Sequence, residues 1–180
     1  MATHLSTEQI AARLDHIRSA PGDAGTLALI VRRPAVDARE VLDEGELSIG
    51  DGLVGDNWKS RGSSPDMQLN VMNARVIEVL AQEPARWPLA GDQLFVDLDL
   101  SEANLPAGTR LAIGDAVIEV TPEPHTGCSK FVERFGVDAM KFVNGSIGRP
   151  LRLRGLNARV VTPGRIRRGD SVTKVARSRS

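Results

Sequence analysis

Residues 109–121 read Thr109-Arg110-Leu111-Ala112-Ile113-Gly114-Asp115-Ala116-Val117-Ile118-Glu119-Val120-Thr121. Two strand-like runs, 109–113 and 116–121, meet at Gly114-Asp115, a dipeptide that favours a tight hairpin. The same punctuation recurs through the chain. Gly-Asp occurs six times, with the glycine at 22, 50, 55, 91, 114 and 169, and each is a turn signal. Upstream, 26–32, 46–49, 68–72 and 93–98 read as strands; downstream, 151–153, 158–161 and 171–175 do. Helix signals are fewer. Ser6-Thr7-Glu8-Gln9 has the spacing of a capping box, Ile10, Leu14 and Ile17 follow at helical intervals, and Pro21-Gly22-Asp23 ends the pattern. Asn73 caps a short helix through Val76, Ile77 and Leu80, stopped by Pro84. Many short strands with a few short helices predict an α+β fold that is mostly β, a closed or partly closed β-barrel.

The 180 residues suit one domain, at about 150 residues per domain. We divide them into a helical N-terminal extension (1–24), a barrel domain (25–175) and a frayed basic tail (176–180). With 41% apolar residues and 17 glycines the composition is that of a globular chain with a real core. No apolar run approaches the roughly 20 residues of a membrane span, so no membrane partner is expected. The N-terminus lacks the pattern of a signal peptide, and a cytoplasmic location is the expectation.

Lysines and arginines number 23 and so do aspartates and glutamates. That neutrality hides an asymmetry: from Arg149 onward there are ten basic residues against the single Asp170, a +9 segment on a −9 body. Composition nevertheless argues against nucleic acid as a partner, because two Trp, four Phe and no Tyr leave little for base stacking. A single cysteine, Cys128, excludes an internal disulfide, a CxxC pair and a multi-cysteine metal site. With no Tyr and only His4, His16 and His125, few side chains are left to carry chemistry.

The most informative segment is Thr121-Pro122-Glu123-Pro124-His125-Thr126-Gly127-Cys128-Ser129-Lys130-Phe131. Two prolines and a glycine force an irregular loop after a strand, and Phe131, Phe135 and Gly136 then read as a short helix with a glycine stop. Cys128 falls at or just before the start of that helix, where free N–H groups favour the thiolate, and Lys130 and His125 add positive charge. Such a thiolate can serve as nucleophile, sulfur carrier or soft metal ligand. His125 is a candidate base for it, or a polar lining residue; a Cys-His-Asp triad lacks a recognisable third member. A second cluster, Gly50 to Gly62, offers glycines for close backbone approach and Lys59 and Arg61 to hold an anion, but it is not a phosphate-binding P-loop. In a third, Arg152 and Arg154 alternate with Leu151 and Leu153 and are expected on one face of a strand, as a charged outer surface or an anion-binding wall.

Taken together, the chain resembles the MOSC family, named for the C-terminal domain of molybdenum-cofactor sulfurase. The resemblance is carried by Gly52-x-x-Gly55-Asp56, Gln68-Leu69-Asn70-Val71, Gly91-Asp92-Gln93-Leu94, the stretch Leu105 to Gly114, Ala116 to Thr121, Cys128-Ser129-Lys130, Arg134-Phe135-Gly136, Gly148-Arg149 and Gly169-Asp170-Ser171-Val172. It spans about residues 25–175. It implies a mixed β-barrel that binds molybdenum cofactor (molybdopterin) or delivers sulfur to it. Cys128 matches the family's cysteine, the expected molybdenum ligand or persulfide carrier; Lys130 matches its C-x-K pattern and Asp56 its Gly-Asp loop. Small stand-alone members look like reductases of N-hydroxylated compounds, which implies a small-molecule substrate, an electron-donor protein and a proton donor, for which His125 is the nearby candidate. The alternative is a sulfur or cofactor carrier without turnover. Asn57, Pro124-His125 and Asp92-Gln93 stand where relatives commonly have Arg, Pro-Arg and Glu-Asn. Anchoring of a cofactor phosphate then falls to Lys59, Arg61, Lys130 or the C-terminal arginines, Arg149 among them.

Overall fold

A computed structural model describes residues 3–62 and 64–176. Two short helices, α1 (Thr7–Ala11) and α2 (Leu14–Arg18), precede β1 (Ala24–Arg32). Then come β2 (Glu40–Leu42), β3 (Glu44–Ser48), β4 (Gly52–Leu53), β5 (Leu69–Asn73) and α3 (Ala74–Ala81). The second half holds β6 (Leu94–Asp97), β7 (Arg110–Ile113), β8 (Ala116–Val120), α4 (Ser129–Phe135), α5 (Val137–Asn144), β9 (Leu156–Thr162), β10 (Gly164–Arg167) and β11 (Ser171–Lys174). Residues 177–180 of the expected basic tail lie outside the described residues. No helix among those described is long and apolar enough to cross a membrane.

Seven strands close into a mixed barrel in the order β11-β7-β8-β9-β5-β6-β1, with β1 returning to β11. Every pair is antiparallel except β5 with β6. The hairpin at Gly114-Asp115 forms as expected, pairing Ile113 with Ala116 and Leu111 with Ile118, and Gly114 takes φ +55°. Strand β2 adds to β1 beyond the barrel, and β10-β3-β4 make a separate three-stranded sheet.

Closure without edges lets the interior fill with alternate side chains. Leu69 and Val71 of β5, Leu94 and Val96 of β6, and Leu111 and Ile113 of β7 point inward. The residues between them face the helices: Met72 and Phe95 join Ile10, Ile17, Ile77, Phe131, Phe135 and Phe142 in a second core. Strands covered on both faces lose the apolar–polar alternation and read as apolar runs. In β1 a register shift between Leu27 and Leu29 puts Leu27 and Ile30 inside and Leu29 and Val31 outside, which lets one strand serve both cores.

Three features depart from the sequence reading. Residues 151–154 are a run of turns, not a strand; Arg152 sits at φ +48° and donates to the Leu100 and Leu105 carbonyls at 3.2 and 2.6 Å. The N-terminal pattern breaks into two helices, although the Ser6 capping box forms as expected. Helix α5 follows α4 directly, because Gly136 at φ +96° ends one helix and starts the next.

Gly155 permits a close approach that bears on the site. At φ +124°, a Cβ there would collide with the Val71 carbonyl and lie 3.1 Å from Cδ2 of His125. Gly155→Ala is therefore expected to cost about 1–3 kcal/mol from backbone strain alone, and more from the collision. Gly108→Ala, also at positive φ but in open space, is expected to cost less. Urea denaturation of the two variants measures the difference.

Candidate functional site

Pro122 and Pro124 end the β8 ladder, and the following loop is tied down from several sides. The fully buried Asn157 of β9 donates to the carbonyls of Glu123 and Pro124 at 3.1 and 3.2 Å. Gly127 N–H donates to Oδ1 of Asn144 at 2.9 Å. Cys128 thus arrives at the N-cap of α4, as expected, with its carbonyl accepting from Phe131 and Val132 and its thiol exposed. Partial burial works against its ionisation. The backbone N–H groups of Phe131 and Lys130 and the charges of Arg154 and Arg134 outweigh that and hold the thiol below its ordinary range. Alkylation of Cys128 by iodoacetamide is expected to have its midpoint below the ordinary thiol pKa of about 8.5. Arg134→Gln should move that midpoint back upward.

Cys128 lines a cleft of about 270 Å³ whose walls carry Arg33, Arg39, Arg61, Lys130, Arg134 and Arg154. One carboxylate, Asp37, lines it with them. Beneath the floor lie two buried ion pairs. In the first, Arg33 grips Asp56 with Nη2 to Oδ2 at 2.8 Å and Nε to Oδ1 at 3.0 Å, and the Asp56 carboxylate has no exposed surface. Asp56 also accepts from the backbone N–H groups of Arg33 and Trp58 and from Gln93 Nε2. Its capacity is filled, so it orients Arg33 and does not face the cleft itself.

In the second pair, Nη1 of Arg154 reaches both oxygens of the fully buried Asp92 at 3.0 and 2.9 Å, and Nε2 of His125 lies 2.9 Å from Asp92 Oδ1. Arg154 also lies over the Phe131 ring, 5.0 Å from its centre, and donates to the Ala90 carbonyl. Burial disfavours the charged form of Asp92, but Arg154 and His125 outweigh it and keep the carboxyl below its usual range. Burial, then the charge of Arg154, push His125 below the ordinary imidazole value against the pull of Asp92. His125 is therefore neutral at neutral pH, with its proton on Nε2 donated to Asp92. Nδ1 is then the proton-accepting atom, and the ring acts as the expected donor only after a proton has been taken up there.

The other expected residues divide. Arg61 and Lys130 line the cleft with Cys128 and His125. Lys59 does not; it is exposed and paired with Asp51 at 3.3 Å. Arg149 donates to the Asn144 carbonyl and borders a neighbouring hollow of about 210 Å³, which His125 and Arg154 separate from the cleft. The sequence reading missed Arg33, Arg39, Asp92 and Arg134. Asp92 and Arg134 entered that reading only within the Gly91-Asp92-Gln93-Leu94 and Arg134-Phe135-Gly136 pieces, with no role at the site.

The two buried side-chain polar atoms without a partner among the described residues, Nε of Arg154 and Oδ1 of Asn57, both belong to residues lining this cleft. Among the described residues no group of three or more His, Cys, Asp or Glu side chains could hold a metal ion. A metal at Cys128 must bring most of its ligands with it.

The fold has relatives of known structure. A hypothetical protein aligns with a TM-score of 0.61 at 22% identity, over 86% of this chain and 69% of the other. The YuaD protein from Bacillus subtilis aligns at 0.59 and 15% identity, over 86% and 97%. YiiM from Escherichia coli aligns at 0.57 and 21% identity, over 86% and 72%. These identities show a shared fold. No curated protein matches the chain. The family model of the MOSC domain matches residues 59–173, from the arginine-bearing turn before β5 to the closing strand β11. That family is associated with molybdenum-cofactor binding. The chain belongs to the MOSC domain family.

Proposed function

We propose that the chain binds molybdenum cofactor in the cleft above Arg33 and Arg154 and acts as an oxidoreductase that reduces N-hydroxylated small molecules. The observation that carries this reading is the exposed Cys128, held toward its thiolate on a wall shared with Arg39, Arg61, Lys130 and Arg134. A thiolate is a soft ligand suited to such a metal, and the cations suit the phosphate of the cofactor. The lack of a side-chain metal cluster among the described residues fits a metal that arrives with its own ligands. When bound, the cofactor supplies two-electron reduction of an N–OH group to the amine, with release of water.

The chain's own residues do the rest. Cys128 holds the metal, and Arg61, Lys130 and Arg134 hold the anionic portion of the cofactor. Arg33 and Arg154, locked onto Asp56 and Asp92, form a fixed cationic floor. His125 takes up a solvent proton at Nδ1 and gives it to the departing hydroxyl group, and the second proton that the reaction consumes comes from solvent. Electrons come from a donor protein.

Protein purified from a host that makes the cofactor is expected to carry molybdenum stoichiometrically, and Cys128→Ala to lose it, as measured by elemental mass spectrometry. Molybdenum-free wild-type protein from its native host would overturn the reading. A persulfide on Cys128 in that metal-free protein would identify a sulfur carrier instead.

A further inference from the structure

Residues 33–39 join β1 to β2 across the mouth of the cleft. Pro34 cannot extend the ladder, and the Ala38 N–H donates to the Ala35 carbonyl at 3.1 Å to close a turn. At its tip Val36 is 73% exposed, so no apolar packing clamps the loop there. Asp37 takes φ +61°, a left-handed conformation that Asp tolerates better than most residues. The conformation turns its carboxylate onto α4, where Oδ1 accepts from Lys130 Nζ at 2.8 Å and from Arg134 Nη2 at 3.4 Å. Lys130 and Arg134 are one helical turn apart and present their charges side by side.

A third cation belongs to the group. Arg39 is held by the Pro88 and Ala38 carbonyls, and burial together with the nearby charges of Arg134 and Arg33 lowers its pKa. Among the described residues Asp37 is the only carboxylate lining the cleft, so three cations converge on one negative charge. A dianion would satisfy this surplus better than a carboxylate does. The bond that holds Asp37 is also weak: Lys130 and Asp37 are 51% and 62% exposed, so solvent screens the pair.

We infer that Lys130, Arg134 and Arg39 form a seat for a phosphate-like dianion, and that Asp37 is its built-in occupant, displaced when the ligand's oxyanion arrives. In the free protein the carboxylate keeps the seat from monoanions and screens the cations from one another. On binding, the 33–39 loop is released from α4. Ligand affinity is thereby reduced by whatever free energy the Asp37 contacts hold. The seat requires the cleft to be a ligand site, as proposed above, but needs no molybdenum. Metal analysis and phosphate binding can therefore fail separately.

The test uses the full-length protein and inorganic phosphate, with binding followed by phosphorus NMR at constant ionic strength. Asp37→Asn is expected to bind phosphate about three- to fivefold more tightly than wild type. Glu46→Gln makes the same charge change on an exposed residue outside the cleft and is expected to change affinity little. Adding Lys130→Gln to Asp37→Asn should abolish the gain. Equal affinities for Asp37→Asn and Glu46→Gln would overturn the inference, as would a gain that survives without Lys130. All three sites are exposed, and circular dichroism verifies that each variant is folded.

Discussion

Asp92→Asn is expected to destabilise the protein by about 3–5 kcal/mol, measured by urea denaturation, because it leaves the Arg154 cation buried without its counter-charge. The size of the effect follows from the surroundings. Asp92 has no exposed surface and Arg154 is 7% exposed, so water cannot replace the lost carboxylate. Asparagine keeps an oxygen for Nε2 of His125 but replaces the second acceptor of Arg154 with an NH2 donor, so the counter-charge and one hydrogen bond are lost together. Removing both charges, as Asp92→Asn with Arg154→Met, should recover most of the loss, since an apolar stem can still lie against Phe131. A loss below about 1 kcal/mol in the single variant would place the pair in the solvent-screened class and overturn the buried-pair account.

The same group sets the response to acid. His125 has a folded pKa below its ordinary value, so the unfolded chain takes up its proton first as pH falls. The stability it contributes is present above about pH 6.5 and is lost progressively as pH falls toward its folded value. Asp92, also lowered, adds a second loss that begins near the ordinary aspartate pKa of about 3.9 and continues through its folded value. Stability should therefore decline in two steps on acidification. His125→Asn should flatten the first step and leave the second, as read from urea midpoints across the pH range.

Local patterns made the barrel legible. Strands 26–32, 68–72, 93–98, 109–113, 116–121, 158–161 and 171–175 all fall within or overlap barrel strands, because each combines apolar residues with a turn signal at its end. Strands β2, β4 and β10 lacked that contrast: β4 is two residues long, and β10 has one apolar residue, Ile166, between two arginines. The position of Cys128 was legible for the same local reason, a proline-broken loop followed by a helix start. The cationic wall was not. It is assembled from residues 33, 39, 61, 130, 134 and 154, which no sequence window brings together. The +9 segment contributes little to the cleft: among its described residues only Arg154 lines it, while Arg159 pairs with Glu119, Arg165 and Arg167 with Glu44, Arg168 with Asp43 and Lys174 with Asp23. Net charge counts residues, whereas a strand's alternation decides which of them face solvent and find partners there.

Asp56→Ala is expected to cost a further about 3–5 kcal/mol, by uncovering the second buried cation, Arg33. Here the network extends to the cysteine loop. Nη1 of Arg33 donates to Asn70 Oδ1 at 3.1 Å, Asn70 Nδ2 donates to Asn157 Oδ1 at 2.6 Å, and Asn157 holds the loop that carries His125 and Cys128. Gln93 braces the same network, donating to Asp56 and accepting from the Asn70 N–H. Loss of Asp56 should therefore be felt at Cys128, although Asp56 does not line the cleft. The expected signature is twofold: a drop in the urea midpoint, and an upward shift in the pH midpoint of Cys128 alkylation as the loop loosens from the N–H groups that favour its thiolate. The stability loss should change little between low and high salt, because buried pairs escape screening. Glu44→Gln supplies the contrast. It breaks exposed pairs with Arg165 and Arg167 and should cost no more than about 1 kcal/mol, less as salt is raised. A normal alkylation midpoint in a destabilised Asp56→Ala protein would show that the Asn70–Asn157 relay does not position the cysteine loop.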